Sequence, residues 1–120
     1  MNPIILTIIS DAGCRLSVES VAGEIGIECL TVSFGEHLSD LVNRNNPFLL
    51  IVEFNSDNAN WLQRHLSEIK SEHSDFPVIG ITARDNEADF TRLERVGCTR
   101  ILTPETFPQK AKSIIEKYLR

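Results

Sequence analysis

Four short stretches of this 120-residue chain carry residues able to do chemistry together: Ser10-Asp11, Glu53-Phe54-Asn55, Thr82-Ala83 and Thr103-Pro104. Each follows an apolar run, where a strand is expected to end and a loop to begin. Asp11 and Glu53 offer carboxylate oxygens at two of these strand ends. Cys14 raises a second chemistry, that of a thiol phosphocarrier. Against it, Ser10-Asp11-Ala12-Gly13-Cys14 puts a carboxylate where backbone amides should cradle an anion. A flavin would need a Ser/Thr/Gly loop after the first strand and a cobalamin an Asp-x-His pair, and the sequence has neither. His37, His65 and His73 lie far apart in sequence on or beside expected helices, so they predict neither a metal cluster nor a phosphohistidine. Trp61 and His65, one helical turn apart, read as packing.

The elements that position these residues alternate. Pro3 to Ile9 is nearly continuous and β-branched, as a strand buried on both faces should be. A polar loop, Ser10 to Gly13, precedes Val18, Val21, Ala22 and Ile25 at helical spacing, with Gly26 as the stop. Ile27 to Phe34 reads as a second strand, mixed in polarity and so at an edge. Leu38, Leu41 and Val42 mark a short helix closed by the turn Asn43-Arg44-Asn45-Asn46-Pro47. Phe48 to Val52 is a third strand, followed by a loop from Asn55 to Asn60 and a helical stripe at Leu62, Leu66 and Ile69. Pro77 to Ile81 is a fourth strand. Asp85 or Asn86 is expected to cap a helix carrying Phe90, Leu93 and Val96, with Gly97 ending it. Arg100 to Leu102 is a fifth strand, and Pro108 suits the first turn of a last helix through Ala111, Ile114, Ile115, Tyr118 and Leu119. Strict strand–helix alternation predicts one α/β domain over residues 1–120, a flavodoxin-like (βα)5 three-layer sandwich. Its parallel five-stranded sheet is expected in the order 2-1-3-4-5, with the ligand crevice at the carboxyl ends of strands 1 and 3.

Composition excludes several classes. With 42% hydrophobic and 24% charged residues the chain is neither disordered nor of low complexity. Its longest early apolar run, residues 3–9, is far short of the ~18 residues that span a bilayer. The run also lacks the flanks of a signal peptide, so a cytoplasmic location without membrane association is expected. A net charge of −5 argues against nucleic acid. The charge is uneven: residues 1–83 carry −7 and residues 84–120 carry +2. Three cysteines without a CxxC pair predict reduced thiols, not a disulfide framework or zinc site.

The chain resembles a response-regulator receiver domain over essentially its whole length. The residues that carry the resemblance are Phe76-Pro77-Val78-Ile79-Gly80-Ile81-Thr82-Ala83-Arg84, the Glu-Arg-Val-Gly-Cys stretch 94–98, and the segment Pro47 to Asn55. The resemblance implies an acidic pair after strand 1, a phosphorylated aspartate ending strand 3, a Thr or Ser ending strand 4 and a Lys-Pro pair ending strand 5. Mg²⁺ is held in that family by the aspartate, the acidic pair and a carbonyl two residues on. Here Ser10 takes the first acidic position, with Asp11 at the second. Glu53 takes the phosphoacceptor position, and Thr103 or Pro104 takes that of the lysine. The resemblance places any Mg²⁺ at Asp11, Glu53 and the Asn55 carbonyl; with one acidic residue of the pair replaced, it is expected to be weakly held or absent, and no other cofactor is expected.

Each departure acts on a known requirement of phosphoryl transfer. Glutamate moves the carboxylate by about an ångström, a displacement that can cost ~10²-fold. Losing a fixed cation typically costs ~10²–10³. The resemblance therefore implies a pseudo-receiver, not an enzyme: a two-component-type module acting by protein–protein contact without regulated phosphorylation. The alternatives are a weakly active Mg²⁺-dependent phosphoacceptor, or a thiol phosphocarrier or cofactor-binding enzyme of the same fold. The Glu53 carboxylate is either a stand-in for a phosphoryl oxygen within reach of Thr82 or a solvated strand-end group. The family's switch pair falls on Thr82 and Ile101. Its usual partner face falls on residues 86–120, with Arg92, Arg95, Arg100, Lys110, Lys112 and Lys117 supplying positive charge for an acidic partner or a second copy.

Overall fold

The apolar runs become the sheet. In the computed structural model, which describes residues 3–33, 35–55, 58–83 and 87–119 (backbone only for 87–89), the strands are β1 (Ile4–Ile8), β2 (Glu28–Thr31), β3 (Leu49–Phe54), β4 (Val78–Thr82) and β5 (Arg100–Leu102). They pair in parallel in the order β2-β1-β3-β4-β5, as expected. The helices are α1 (Ala12–Ile25), α2 (Leu38–Asn45), α3 (Ala59–Glu72), α4 (Glu87–Arg95) and α5 (Phe107–Leu119). The expected cap at Asp85 or Asn86, the Ser56-Asp57 pair and the Phe34 end of the second strand lie outside the described residues.

Alternation along the strands builds two cores. Ile5, Leu49, Ile51, Ile79 and Ile81 face α1 and α5, meeting Val18, Val21, Phe107, Ala111 and Ile115. Leu6, Leu50, Val52, Phe54 and Val78 face the other way, toward Leu38 and Val42 of α2, Leu62, Leu66 and Ile69 of α3, and Leu93 of α4. The central strands β1, β3 and β4 are buried on both faces, as their unbroken apolar sequences require, while Glu28 and Thr31 at the β2 edge are exposed.

Several boundaries differ from the sequence reading. Strand β3 runs on to Phe54, so Glu53 and Phe54 stand in the strand and not in the loop after it, and β2 is confined to Glu28–Thr31. Asp11 caps α1, its side chain accepting from Cys14 N, so the helix starts at Ala12 inside the expected loop. The turn expected at Asn43–Pro47 begins as helix. Residues through Asn45 stay in α2 because Asn43 hydrogen-bonds across to Glu72 and His73 at the end of α3, and Asn46 closes the helix in the left-handed region at φ 48°. Helix α3 starts at Ala59, shortening the expected loop by two residues.

Candidate functional site

Glu53 sits at the carboxyl end of β3, level with Ile81 of β4, and its side chain turns toward the β1–α1 junction. One carboxylate oxygen, Oε1, accepts from the backbone amides of Ser10 at 3.0 Å and Asp11 at 2.8 Å. The other, Oε2, accepts from the Ser10 hydroxyl at 3.1 Å. The geometry places Glu53 in a nest of three donors, two of them main-chain dipoles at the start of a helix, which suits a negative charge. Thr82 is level with Phe54, one position further on, so strand alternation directs it to the opposite face from Glu53. The longer Glu53 side chain thus reaches the β1–α1 amides instead of turning toward Thr82.

The remaining strand-end residues are tied up in the same manner. Asp11 Oδ1 accepts from Cys14 N at 2.9 Å. The Asn55 carbonyl accepts from Ala59 N at 3.1 Å, opening α3. Asn55 and Asn58 exchange amide-to-side-chain bonds at 2.9 Å each, and Asn58 Nδ2 donates to the Glu53 carbonyl at 2.9 Å. Sequence reading missed the buried Asn58; the Asn-x-x-Asn spacing, analogous to a reciprocal helix cap, is the signal that marks it. Together Ile8, Ser10, Val32, Glu53, Asn55 and Asn58 line an open cleft of about 390 Å³ at the ends of β1 and β3. An Mg²⁺ ion of the receiver type would need Asp11, Glu53 and the Asn55 carbonyl to converge on it. As arranged, Asp11 Oδ1, Glu53 Oε1 and the Asn55 carbonyl each accept from an amide of the chain.

At the lysine position, Thr103 and Pro104 do structural work. The Thr103 carbonyl accepts from Thr106 N and Phe107 N, its hydroxyl lies 2.9 Å from that of Thr106, and the group opens α5. The Pro104 carbonyl faces the Cys14 thiol at 3.6 Å. Burial first, then the Asp11 carboxylate, pushes the Cys14 thiol up to about 12. Burial and the neighbouring carboxylate thus favour the protonated thiol at neutral pH.

The residues expected to form a switch pair and a partner face are placed as follows. Ile101 is half-buried beside Gly80, where a Cβ would come within 3.6 Å of it and 3.1 Å of the Cys98 sulfur. Arg92, Arg95, Arg100 and Lys110 are exposed on α4, β5 and α5. Lys112 departs from that group: it pairs with Glu24 of α1 at 2.7 Å, because the phase of α5 turns it onto the α1–α5 seam. The histidines also depart from expectation. His37 and His65, 28 positions apart in sequence, lie with ring centroids 5.5 Å apart, since α2 packs on α3.

No protein-family model matches the sequence, and no curated protein is found to be similar to it. Solved structures are similar to it over nearly their whole length. A response regulator protein from Burkholderia multivorans superposes with a TM-score of 0.80 at 19% identity, covering 100% of this chain and 97% of that one. A response regulator from Hahella chejuensis gives 0.80 at 13%, covering 98% and 96%. An orphan response regulator of H. pylori gives 0.77 at 18%, covering 98% and 97%. The chain has the response-regulator receiver fold. Within that receiver fold the strand-end crevice holds Glu53, Ser10 and Asp11 in one hydrogen-bonded cluster. Among the described residues no helix is long and apolar enough to cross a membrane.

Proposed function

We propose that the chain is a signalling module of two-component type that acts by protein–protein contact and is not switched by phosphorylation at Glu53. The observation that carries this reading is the closed donor set around the Glu53 carboxylate. Phosphoryl transfer needs a nucleophile free to lie in line with the donor, together with cations to neutralise the equatorial oxygens. Glu53 has two amides and a hydroxyl on its oxygens. Position 103 supplies a helix-opening threonine in place of a cation. Ile101, lacking a hydroxyl and set beside Gly80, supports a fixed output surface. The partner surface in this reading is α4–β5–α5, where Arg92, Arg95, Arg100 and Lys110 suit an acidic protein or a second copy.

The test is an amide NMR titration with Mg²⁺ followed by beryllofluoride. The expected outcome is no shift from either at millimolar concentration. Mg²⁺-induced shifts at Asp11, Glu53, Asn55 and Thr82 that beryllofluoride extends into β5 would overturn the reading in favour of a working phosphoacceptor.

A further inference from the structure

A second cluster lies away from the strand ends, where α2 meets α3. One ring nitrogen each of His37 and His65 and one carboxylate oxygen of Glu68 lie within 4.8 Å of one another. His65 and Glu68 are three residues apart on α3 and so share a face. His37 reaches them from the residue that precedes α2. The His37–Glu68 contact is longer than an ordinary hydrogen bond: His37 Nε2 stands 3.6 Å from Glu68 Oε1. Metal bonds of ~2.1 Å in a tetrahedron put neighbouring donors about 3.4 Å apart, so this pair already stands near one tetrahedral edge.

One surrounding group, Ser39, is hydrogen-bonded to a donor, and a further carboxylate stands close to another. Asp40 Oδ2 lies 3.7 Å from His37 Nδ1, on the ring edge opposite Glu68. The buried Ser39 hydroxyl donates to Glu68 Oε1 at 2.6 Å. The Trp61 ring walls one side of His65 at 4.9 Å between centroids. His65 Nδ1 is itself buried, with no hydrogen-bond partner among the described residues. A buried ring nitrogen left unused is uncommon, and coordination is one way an imidazole is put to use.

We propose that His37, His65 and Glu68 form a binding site for a divalent d-block ion of the zinc class, joining the start of α2 to the middle of α3. Two imidazoles and a carboxylate select such ions over Mg²⁺, which prefers an all-oxygen octahedron. Three protein ligands leave a further position for water. The site is independent of the reading of Glu53. Because its ligands come from two elements that only the fold brings together, occupancy stabilises the folded chain.

The experiment uses the whole chain, stripped of metal, with Zn²⁺ titrated in competition with a chromophoric chelator and Co²⁺ followed by its visible absorption. One Zn²⁺ per chain is expected, with a raised melting temperature and no competition from millimolar Mg²⁺. His37→Ala and Glu68→Gln should each weaken binding more than tenfold, and Asp40→Asn, which removes only a nearby negative charge, by less than either. These three positions are exposed enough for the variants to fold, which their thermal transitions without metal would verify. His73→Ala and Cys29→Ala should bind as the parent does. The proposal is overturned by parent-like Zn²⁺ affinity in His37→Ala and Glu68→Gln, by an equal loss in Cys29→Ala or His73→Ala, or by no binding at all.

Discussion

Ser10 gives both its amide and its hydroxyl to the Glu53 carboxylate, one to each oxygen, at 3.0 and 3.1 Å. The two residues are 43 positions apart and answer one another chemically. An acidic residue in place of Ser10 would set two negative charges side by side. A carboxylate one methylene shorter at position 53 would fall short of the amides that Glu53 now reaches. Ser10 and Glu53 thus act as a pair, the carboxylate held by neutral donors of the same chain.

This pairing predicts an order of stabilities. Ser10→Ala deletes one hydrogen bond to a charged acceptor and should cost about 0.5–1.5 kcal/mol. Ser10→Asp loses the same bond and adds like-charge repulsion, on the order of a further 1 kcal/mol after allowance for the exposure of residue 10. Urea denaturation at neutral pH and low salt should rank parent, Ala, Asp, and salt should narrow the gap between the last two. If Ser10→Asp is as stable as the parent, Glu53 is not held by the Ser10 hydroxyl.

The exposed basic face makes a second prediction. Arg92→Glu with Arg95→Glu should leave the chain folded, since both positions are exposed. The same pair should abolish self-association or binding of an acidic partner. Sedimentation velocity of parent and variant gives the answer for the dimer. An unchanged sedimentation profile together with unchanged partner capture would move the interface elsewhere.

Much of the fold could be read in advance because Ile51, Val52, Ile79 and Ile81 lie in runs that only a doubly covered strand explains, and Gly26 and Gly97 end helices at positive φ. What escaped depends on contacts distant in sequence. The three asparagines after Val42 read as a turn until α3 supplies Glu72 and His73 as partners for the first of them. His37 and His65 read as unrelated until α2 packs on α3. Lys112 reads as part of a basic face, but the helical phase of α5 sends it to Glu24. At the site, Glu53 and Ser10 were legible as departures from a pattern. Their mutual hydrogen bonds follow from side-chain length and backbone direction, which residue type alone does not specify.

Gly97 offers a test of the joint between α4 and β5. Its φ is +118°, and a Cβ there would come within 2.7 Å of Lys70 Cγ on α3. Lys70 is not free to swing away without loss, because its ammonium donates to the Phe76 carbonyl. Gly97→Ala should therefore cost about 1–3 kcal/mol, from strain at positive φ together with displacement of that lysine. Gly23, inside α1 with nothing within 4 Å of its Cβ position, is the control: Gly23→Ala should be neutral or stabilising by about 0.5–1 kcal/mol. Equal thermal shifts in the two variants would contradict this account.

The two most deeply buried thiols predict a loss of stability at alkaline pH. Burial pushes both Cys14 and Cys98 up to about 12, with the Asp11 carboxylate adding to the effect at Cys14 and Lys70 opposing it at Cys98. In the unfolded chain a thiol titrates near 8.5. Between that value and about 12 the folded state therefore binds more protons than the unfolded one, and stability must fall as pH rises. Below about pH 8 the contribution is fully present; above it each thiol can remove up to ~1.4 kcal/mol per pH unit, an upper bound that solvent access reduces. Urea midpoints at about pH 8 and about pH 10.5 should diverge more in the parent than in Cys14→Ala with Cys98→Ala. The double variant starts lower, since it loses packing in both cores, but its slope with pH should be shallower. Coincident slopes would show that ionisation of these thiols does not drive alkaline unfolding.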